Sequence, residues 1–261
     1  ADWISWMAQS GLNVLKLHMA PKEDNLLPFL KSLKGREVLR QAQDARIEIE
    51  YEIHALSLLL PRALFKKSPD LFRMDIRGNR TADSNLCPSN EKALDIVRAA
   101  AVALIDRLSP TTSRYCLWPD DGGKWCHCPK CAALSDADQN VAVMNTLIDT
   151  LRFRDPDARL ACLAYAGTLN PPSQMVPDRG LFLEWAPISR CYRHAINDPA
   201  CAVNREYATG LHALLQVFEP ADAQVLEYWM DASMFSHWTR PAVRLPFDKD
   251  IMRRDVDYYR S

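Results

Sequence analysis

The chain has 261 residues, with 33 acidic and 32 basic side chains and a formal net charge of -1 at pH 7. This balance argues against a nucleic-acid partner, which would need a basic face. The hydrophobic fraction of 48% and the charged fraction of 25% exclude disorder of the whole chain, and no apolar run approaches the roughly 20 residues that span a bilayer. We therefore expect a single folded domain over residues 1–261 without a membrane-spanning segment.

The predicted elements alternate between helices and strands. In chain order, the patterns first predict a helix at 2–10, a strand at 12–18, a helical stretch at 26–42 broken by Gly35, a strand at 47–54, an irregular region at 61–90, and a helix at 91–108. They then predict a strand at 115–118, a helix at 138–153, strands at 159–166 and 180–185, a helix at 204–218, a strand at 225–229, and a helix at 248–260.

This alternation favours an α/β fold built from βα units on a parallel sheet. No G-x-G-x-x-G or Walker loop follows a predicted strand, so a nucleotide-binding doubly wound fold has no local support. We therefore expect a (β/α)8, TIM-barrel-like fold. Since only six clear strands are found and the sequence starts and ends in a helix, we expect a first and a last strand to lie outside it.

Ionisable and aromatic side chains follow nearly every predicted strand. In a barrel, such positions meet at the carboxyl-end rim, where active sites lie. The candidate rim residues are His18, His54, Trp118, Asp120, Asp121, Tyr165, Glu184, Trp185, Glu227, Tyr228 and Trp229. Glycosidic cleavage uses paired carboxylates, and aromatic faces stack on sugar rings. The pattern therefore predicts a glycan as the substrate.

Each candidate also has a purely structural interpretation. The Asp120–Gly123 stretch has the composition of a simple turn. Glu227 is as well suited to a buried ion pair with an arginine as to catalysis. His18 and His54 can be hydrogen-bonded rim residues without a role in proton transfer.

Three closely spaced cysteines form the most specific local motif. Cys126, Cys128 and Cys131 lie within six residues, a spacing that can ligate Zn²⁺ with His127 or a distant cysteine as the fourth ligand. Disulfides, including one to Cys87, or free thiols explain the same spacing equally well. Cys191 and Cys201 can likewise pair or remain reduced.

The Trp118–Cys131 motif, Trp-Pro-Asp-Asp-Gly-Gly followed by Cys-x-Cys-x-x-Cys, resembles the signature of a bacterial domain-of-unknown-function family of glycoside-hydrolase-like barrels. That family is similar to α-glucuronidase and β-hexosaminidase barrels and includes endo-β-N-acetylglucosaminidases that cut complex N-glycans. Weaker matches follow in the same order: His54, Leu60-Pro61, Phe65, Pro69–Phe72, Gly78–Arg80, Leu86–Asn90, Asn145, Leu163–Tyr165, Pro171-Pro172, Arg190–Tyr192, His194, Asn204 and Glu227-Tyr228.

The resemblance implies a glycoside hydrolase exported from the cytoplasm, either periplasmic or secreted. We expect no required cofactor, and a structural zinc in the cysteine loop is one of the alternatives left open by the spacing. Asp121 matches the acid of the family's Asn-Asp pair, and Asp120 replaces the Asn. Related hexosaminidases have Asp-Glu here, with the Asp holding the substrate acetamido group and the Glu acting as acid. We expect catalysis by Asp121 and Glu227, aided by Asp120. We expect substrate binding by His18, His54, Trp118, Tyr165, Glu184, Trp185, Arg190, Tyr192, His194 and Tyr228.

Three functions are compatible with these residues. The first is a glycosidase acting on N-acetylhexosamine or uronic-acid glycans, which predicts carboxylates over an aromatic-lined cleft. The second is a non-catalytic carbohydrate-binding barrel, which predicts carboxylates that are far apart or tied up in salt bridges. The third is a zinc-dependent hydrolase, which predicts a metal with an open coordination position at the cleft. We rank them in this order.

Overall fold

A computed structural model describes residues 2–19, 25–231, 233, 236, 239 and 247–261. The helices are α1 (Asp2–Gln9), α2 (Leu26–Lys31), α3 (Leu33–Asp44), α4 (Leu56–Leu59), α5 (Glu91–Leu108), α6 (Asp136–Arg152), α7 (Ala202–Leu214) and α8 (Lys249–Arg260). The strands are β1 (Val14–His18), β2 (Glu48–His54), β3 (Arg114–Trp118), β4 (Arg159–Ala164), β5 (Leu181–Trp185) and β6 (Gln224–Val225). Short 3-10 turns lie at Arg62–Lys66, Pro69–Leu71, Ala166–Thr168 and Pro220–Asp222.

The strands form a six-stranded parallel sheet in the order β1-β2-β3-β4-β5-β6. The α/β class is as expected, but the closed (β/α)8 barrel is wrong, because β1 and β6 are the two ends of this order. Two local features distinguish this sheet from the expected closed barrel. No α-helix separates β4 from β5, and β6 has two residues where the sequence predicts a strand over 225–229.

Contacts divide the chain into two compact units. The first comprises Ala1–Cys162 and Pro172–Phe182, and the second comprises Leu163–Pro171 and Leu183–Ser261. The first unit holds β1 to β3 and most of β4, with α5 and α6. The second holds most of β5, together with β6, α7 and α8. Within the described ranges, no helix is both long and apolar enough to cross a bilayer, as expected.

In the first unit, the register of neighbouring strands brings polar residues level at their carboxyl ends. His18 of β1 pairs with Glu52 of β2, and His54 of β2 pairs with Trp118 of β3. The loop after β3 therefore begins beside the loop after β2, which places Asp120 and Asp121 near His54.

The helical stretch predicted over 26–42 is interrupted at Ser32 and not at Gly35. The Ser32 hydroxyl accepts a hydrogen bond from the Gly35 amide (3.0 Å) and donates one to the Phe29 carbonyl (2.7 Å). Ser32 therefore ends α2 and caps α3. Gly35 lies inside α3, and a side chain is excluded at this position because a Cβ would lie 2.0 Å from the Phe29 carbonyl oxygen.

Candidate functional site

A cavity of about 720 Å³ lies at the carboxyl ends of β2 and β3 in the first unit. We call it the Asp121 cavity. Its polar lining includes His54, Ser57, Arg62, Asp120, Asp121 and Lys124. Three of the sequence-predicted site residues, His54, Asp120 and Asp121, are thus brought together in one pocket.

Asp120 is fixed by hydrogen bonds from helix α4 and from the loop that precedes α5. One carboxylate oxygen accepts from the backbone N–H of Ser57 (2.8 Å). The other accepts from the Ser57 hydroxyl and from the backbone N–H of Asn85. The Asp120 amide in turn donates to the Asn85 side-chain oxygen (2.9 Å). The carboxylate therefore has a defined orientation toward the cavity.

Asp121 differs from its neighbour in that it is exposed. It belongs to a turn in which the Gly123 amide donates to the Asp120 carbonyl (2.8 Å) and Gly122 has a φ of +60°. A turn of this kind favours glycine and places the preceding side chain at the cavity surface. Asp83 also lines the cavity, but both of its oxygens accept from Arg73. Asp121 is therefore the carboxylate in this pocket that is best placed to exchange a proton with a ligand.

His54 has a defined tautomer when its ring is neutral. Its Nδ1 lies 2.6 Å from the Pro119 carbonyl oxygen. Because a carbonyl only accepts, Nδ1 carries the hydrogen and Nε2 is the acceptor. Burial lowers the pKa of His54 below its ordinary value of 6.5, although the Pro119 carbonyl and the Asp121 charge act in the opposite direction.

His18 and Trp118 lie beside His54. The Trp118 ring centroid is 5.7 Å from that of His18 and 5.2 Å from that of His54. The His18 Nδ1 lies 3.6 Å from Glu52, whose other oxygen lies 3.2 Å from Lys16. Burial alone would raise the pKa of Glu52, but His18 and Lys16 outweigh it and lower that pKa. Trp118 is 2% exposed, so it packs beneath the imidazoles.

In the second unit, Glu227 is held in a buried charge network. Its Oε1 lies 2.8 Å from the Arg190 Nε and accepts a hydrogen bond from the Tyr259 hydroxyl (2.6 Å). Arg190 also pairs with Asp255, which accepts from the Trp229 indole (2.8 Å). The structure therefore contains the arginine ion pair foreseen as the alternative role for Glu227. Its catalytic pairing with Asp121 stays a prediction.

The other candidates of the second unit are mostly buried or bound to neighbouring groups. Glu184 and Trp185 are each 1% exposed, and Glu184 accepts from the Gln224 amide. The Tyr192 ring contacts the Arg190 guanidinium at 4.5 Å. The Tyr228 amide donates to Glu227, and Tyr165 precedes the Ala166–Thr168 turn. Their roles in substrate binding stay predictions.

Two groups of side chains have the spacing of metal ligands. The first unit contains the buried set Cys87, Cys126, Cys128 and Cys131, and the second contains Cys191, His194 and Cys201. In each group the ligand atoms lie within 4.8 Å of one another. All eight cysteines lie in described parts of the chain and carry free thiols.

Sequence reasoning missed the groups that orient the carboxylates. Ser57 and Asn85 orient Asp120, and Asp255 shares Arg190 with Glu227. Each acts from a part of the sequence far from its partner, where no local pattern marks it. Asn85 has one signal, a φ of +44°, but that is a backbone property of the folded chain.

The fold and site define a parallel α/β protein with a carboxylate- and histidine-lined cavity at the carboxyl ends of its strands. Residues 23–241 match a family described as a domain of unknown function, DUF4838. The chain belongs to this family. No match was found among curated proteins.

Proposed function

We propose that this chain is a glycoside hydrolase that acts in the Asp121 cavity on a glycan containing N-acetylhexosamine or uronic acid. One observation carries the proposal: a single pocket combines an exposed carboxylate, an immobilised carboxylate and an imidazole of defined orientation, contributed by Asp121, Asp120 and His54. The resemblance of the loop to those of glycoside-hydrolase-like barrels supports the same conclusion.

The fixed carboxylate suits the recognition of an acetamido group. A carboxylate offers about four acceptor positions, and Asp120 uses three of them for Ser57 and Asn85. The remaining position can accept the N–H of a substrate acetamido group and turn its carbonyl oxygen toward C1 of the sugar. His54, with Nε2 as acceptor, can bind a sugar hydroxyl.

In the proposed reaction on a glycoside of N-acetylhexosamine, the Asp121 carboxylic acid donates its proton to the glycosidic oxygen. The bond from C1 to that oxygen breaks, and the acetamido carbonyl oxygen bonds to C1, which gives a cyclic oxazolinium ion and a free alcohol. Water then attacks C1, the Asp121 carboxylate takes the water proton, and the ring reopens to the acetamido sugar. No second enzymatic carboxylate has to attack C1 in this route.

A non-catalytic carbohydrate-binding protein is the second candidate. It is favoured by the state of Glu227, since Arg190 and Tyr259 already occupy one of its oxygens. A carboxylate committed to a buried ion pair is poorly placed to attack or protonate a substrate. The two candidates differ in whether a bound glycan is cut.

The test measures hydrolysis of a complex N-glycan and of aryl glycosides of N-acetylglucosamine and glucuronic acid. We expect wild-type protein to cut one class of substrate and Asp121→Asn to lower kcat by roughly 10²- to 10⁴-fold, the range for losing a general acid. The matched control is Asp149→Asn, which neutralises an exposed aspartate on α6 and should leave the rate unchanged.

Calorimetric titration with the same glycans separates the candidates. Saturable binding without cleavage by wild-type protein would reject the hydrolase in favour of the binding protein. If Asp121→Asn cleaves at the wild-type rate, Asp121 is not the acid. Absence of both binding and cleavage would reject a carbohydrate site in this cavity.

A further inference from the structure

We propose that a structural zinc ion is bound by four buried thiolates of the first unit: Cys87, Cys126, Cys128 and Cys131. The sequence already indicated Cys126, Cys128 and Cys131 as candidate zinc ligands. The structure adds Cys87, which lies 39 residues before Cys126 in the sequence and arrives from the segment that precedes α5. This metal site is independent of the glycosidase proposal.

The distances between the sulfur atoms fit a tetrahedral centre. Zn–S bonds of about 2.3 Å in a tetrahedron put neighbouring sulfurs about 3.8 Å apart. The Cys87 and Cys128 sulfurs are 3.7 Å apart, and all four lie within 4.8 Å of one another. A cubane cluster of four irons would need a wider set of thiolates, so this spacing favours a single metal ion.

Donor groups point at the sulfurs, as expected if the sulfurs carry negative charge. The Met74 and Cys128 amides donate to the Cys126 sulfur at 3.3 and 3.5 Å. The Ser89 oxygen lies 3.3 Å from the Cys87 sulfur, 3.6 Å from that of Cys128 and 3.3 Å from that of Cys131, so its one hydrogen can be donated to one of these sulfurs. Such contacts around the ligands stabilise thiolates and orient them toward a metal.

The surroundings favour a structural role for the metal. The exposed fractions of the four residues range from 0% to 3%, and Met74 packs against them. Four protein ligands complete a tetrahedral shell, so no coordination position remains for water or substrate. This argues against the zinc-dependent hydrolase considered from the sequence.

The zinc would join the two loops that shape the Asp121 cavity. Cys87 follows Asn85, which orients Asp120, and Cys126 follows the Asp120–Gly123 turn. Asn85 and Ser84 also bind the backbone at Lys124. A metal that cross-links both loops just beyond these hydrogen bonds would hold the carboxylates in position.

The experiment measures zinc content and zinc X-ray absorption in protein purified under reducing conditions. A Cys191→Ser background is used so that the second ligand group is broken. We expect about one zinc per chain, with four sulfur neighbours at about 2.3 Å. Adding Cys87→Ser should abolish stoichiometric zinc, whereas Cys162→Ser, which alters a buried cysteine outside the cluster, should retain it.

The Cys87→His variant distinguishes loss of a zinc ligand from misfolding of Cys87→Ser. It keeps a ligand, so it should retain zinc and replace one sulfur neighbour by nitrogen in the absorption spectrum. Wild-type protein without stoichiometric zinc, or folded Cys87→Ser with unchanged zinc, would overturn the proposal. So would two disulfides among the four cysteines in freshly purified protein. None of these readouts requires glycosidase activity.

Discussion

Arg190 is the residue on which the buried electrostatics of the second unit depend. Its side chain is 0% exposed and contacts Glu227 and Asp255, which are 3% and 0% exposed. One cation thus faces two carboxylates, and burial raises the pKa of Glu227 even though Arg190 acts to lower it. Tyr259 and Trp229 supply the additional donors that such a group requires.

His54 makes the stability of the protein depend on pH. The folded protein lowers the pKa of His54 below 6.5, while the unfolded chain takes up the proton near that ordinary value. As the pH falls below 6.5, the unfolded state therefore gains protons first, and the stability contributed by neutral His54 is lost. At higher pH this contribution is fully present.

We expect the free energy of unfolding to fall more for wild type than for His54→Asn between about pH 7.5 and about pH 5. Urea unfolding at the two pH values measures this difference. The control is His212→Asn, which removes an exposed imidazole and should keep the wild-type pH dependence. Parallel pH curves for wild type and His54→Asn would contradict the lowered pKa of His54 in the folded protein.

At the scale of elements, the first turn of α6 connects the helix to a distant loop. Ser135 and Asp138 form a capping box. The Asp138 carboxylate also accepts from the amides of Ser173, Gln174 and Met175 at 2.7 to 2.9 Å. Burial alone would raise the pKa of Asp138, but these hydrogen bonds and those from Ser135 hold it well below its ordinary value.

We expect Asp138→Asn to lower the free energy of unfolding by roughly 2–4 kcal/mol, because an amide nitrogen would face donors it cannot accept from. Asp136→Asn removes a charge from the same turn and should cost less than about 1 kcal/mol. Urea unfolding at neutral pH gives both values. Equal losses in the two variants would mean that charge at the helix start, and not the buried network, determines stability.

Local sequence patterns were sufficient to predict several of the helices and strands. The helix predicted over 91–108 is α5, and the strand predicted over 47–54 is β2 within one residue. Amphipathic periodicity and the Asn90 cap are properties of neighbouring residues, so the sequence displays them directly. The carboxylates following β3 could be located in the same way, because a strand followed by Asp and Gly marks the start of a loop.

At the scale of the whole molecule, the sequence was a poorer guide. Closure into eight strands depends on pairing between distant segments, and the alternation of strands and helices does not specify it. The ion pair of Glu227 and the role of Cys87 are equally non-local. In both cases the partner lies about 40 residues away in the sequence, beyond the reach of any periodic pattern.

The division into units predicts which fragments can fold. Pro172–Phe182 belongs to the first unit and supplies the amides bound by Asp138, as well as Asp178, which pairs with Arg152 at 2.7 Å. We therefore expect fragment 1–182 to unfold cooperatively on heating. Fragment 1–162 lacks the three loop amides that Asp138 accepts from and should show no cooperative transition. Circular dichroism measures both, and matching transitions would contradict this assignment of the segment.

The contact of Trp118 with His18 and His54 has an optical consequence. A protonated imidazole quenches indole fluorescence at this range, whereas a neutral one does so far less. Among the seven tryptophans of the chain, Trp118 is packed against both imidazoles beside the Asp121 cavity. The difference in fluorescence emission between wild type and Trp118→Phe therefore reports the charge state of these two imidazoles in solution, without an added label.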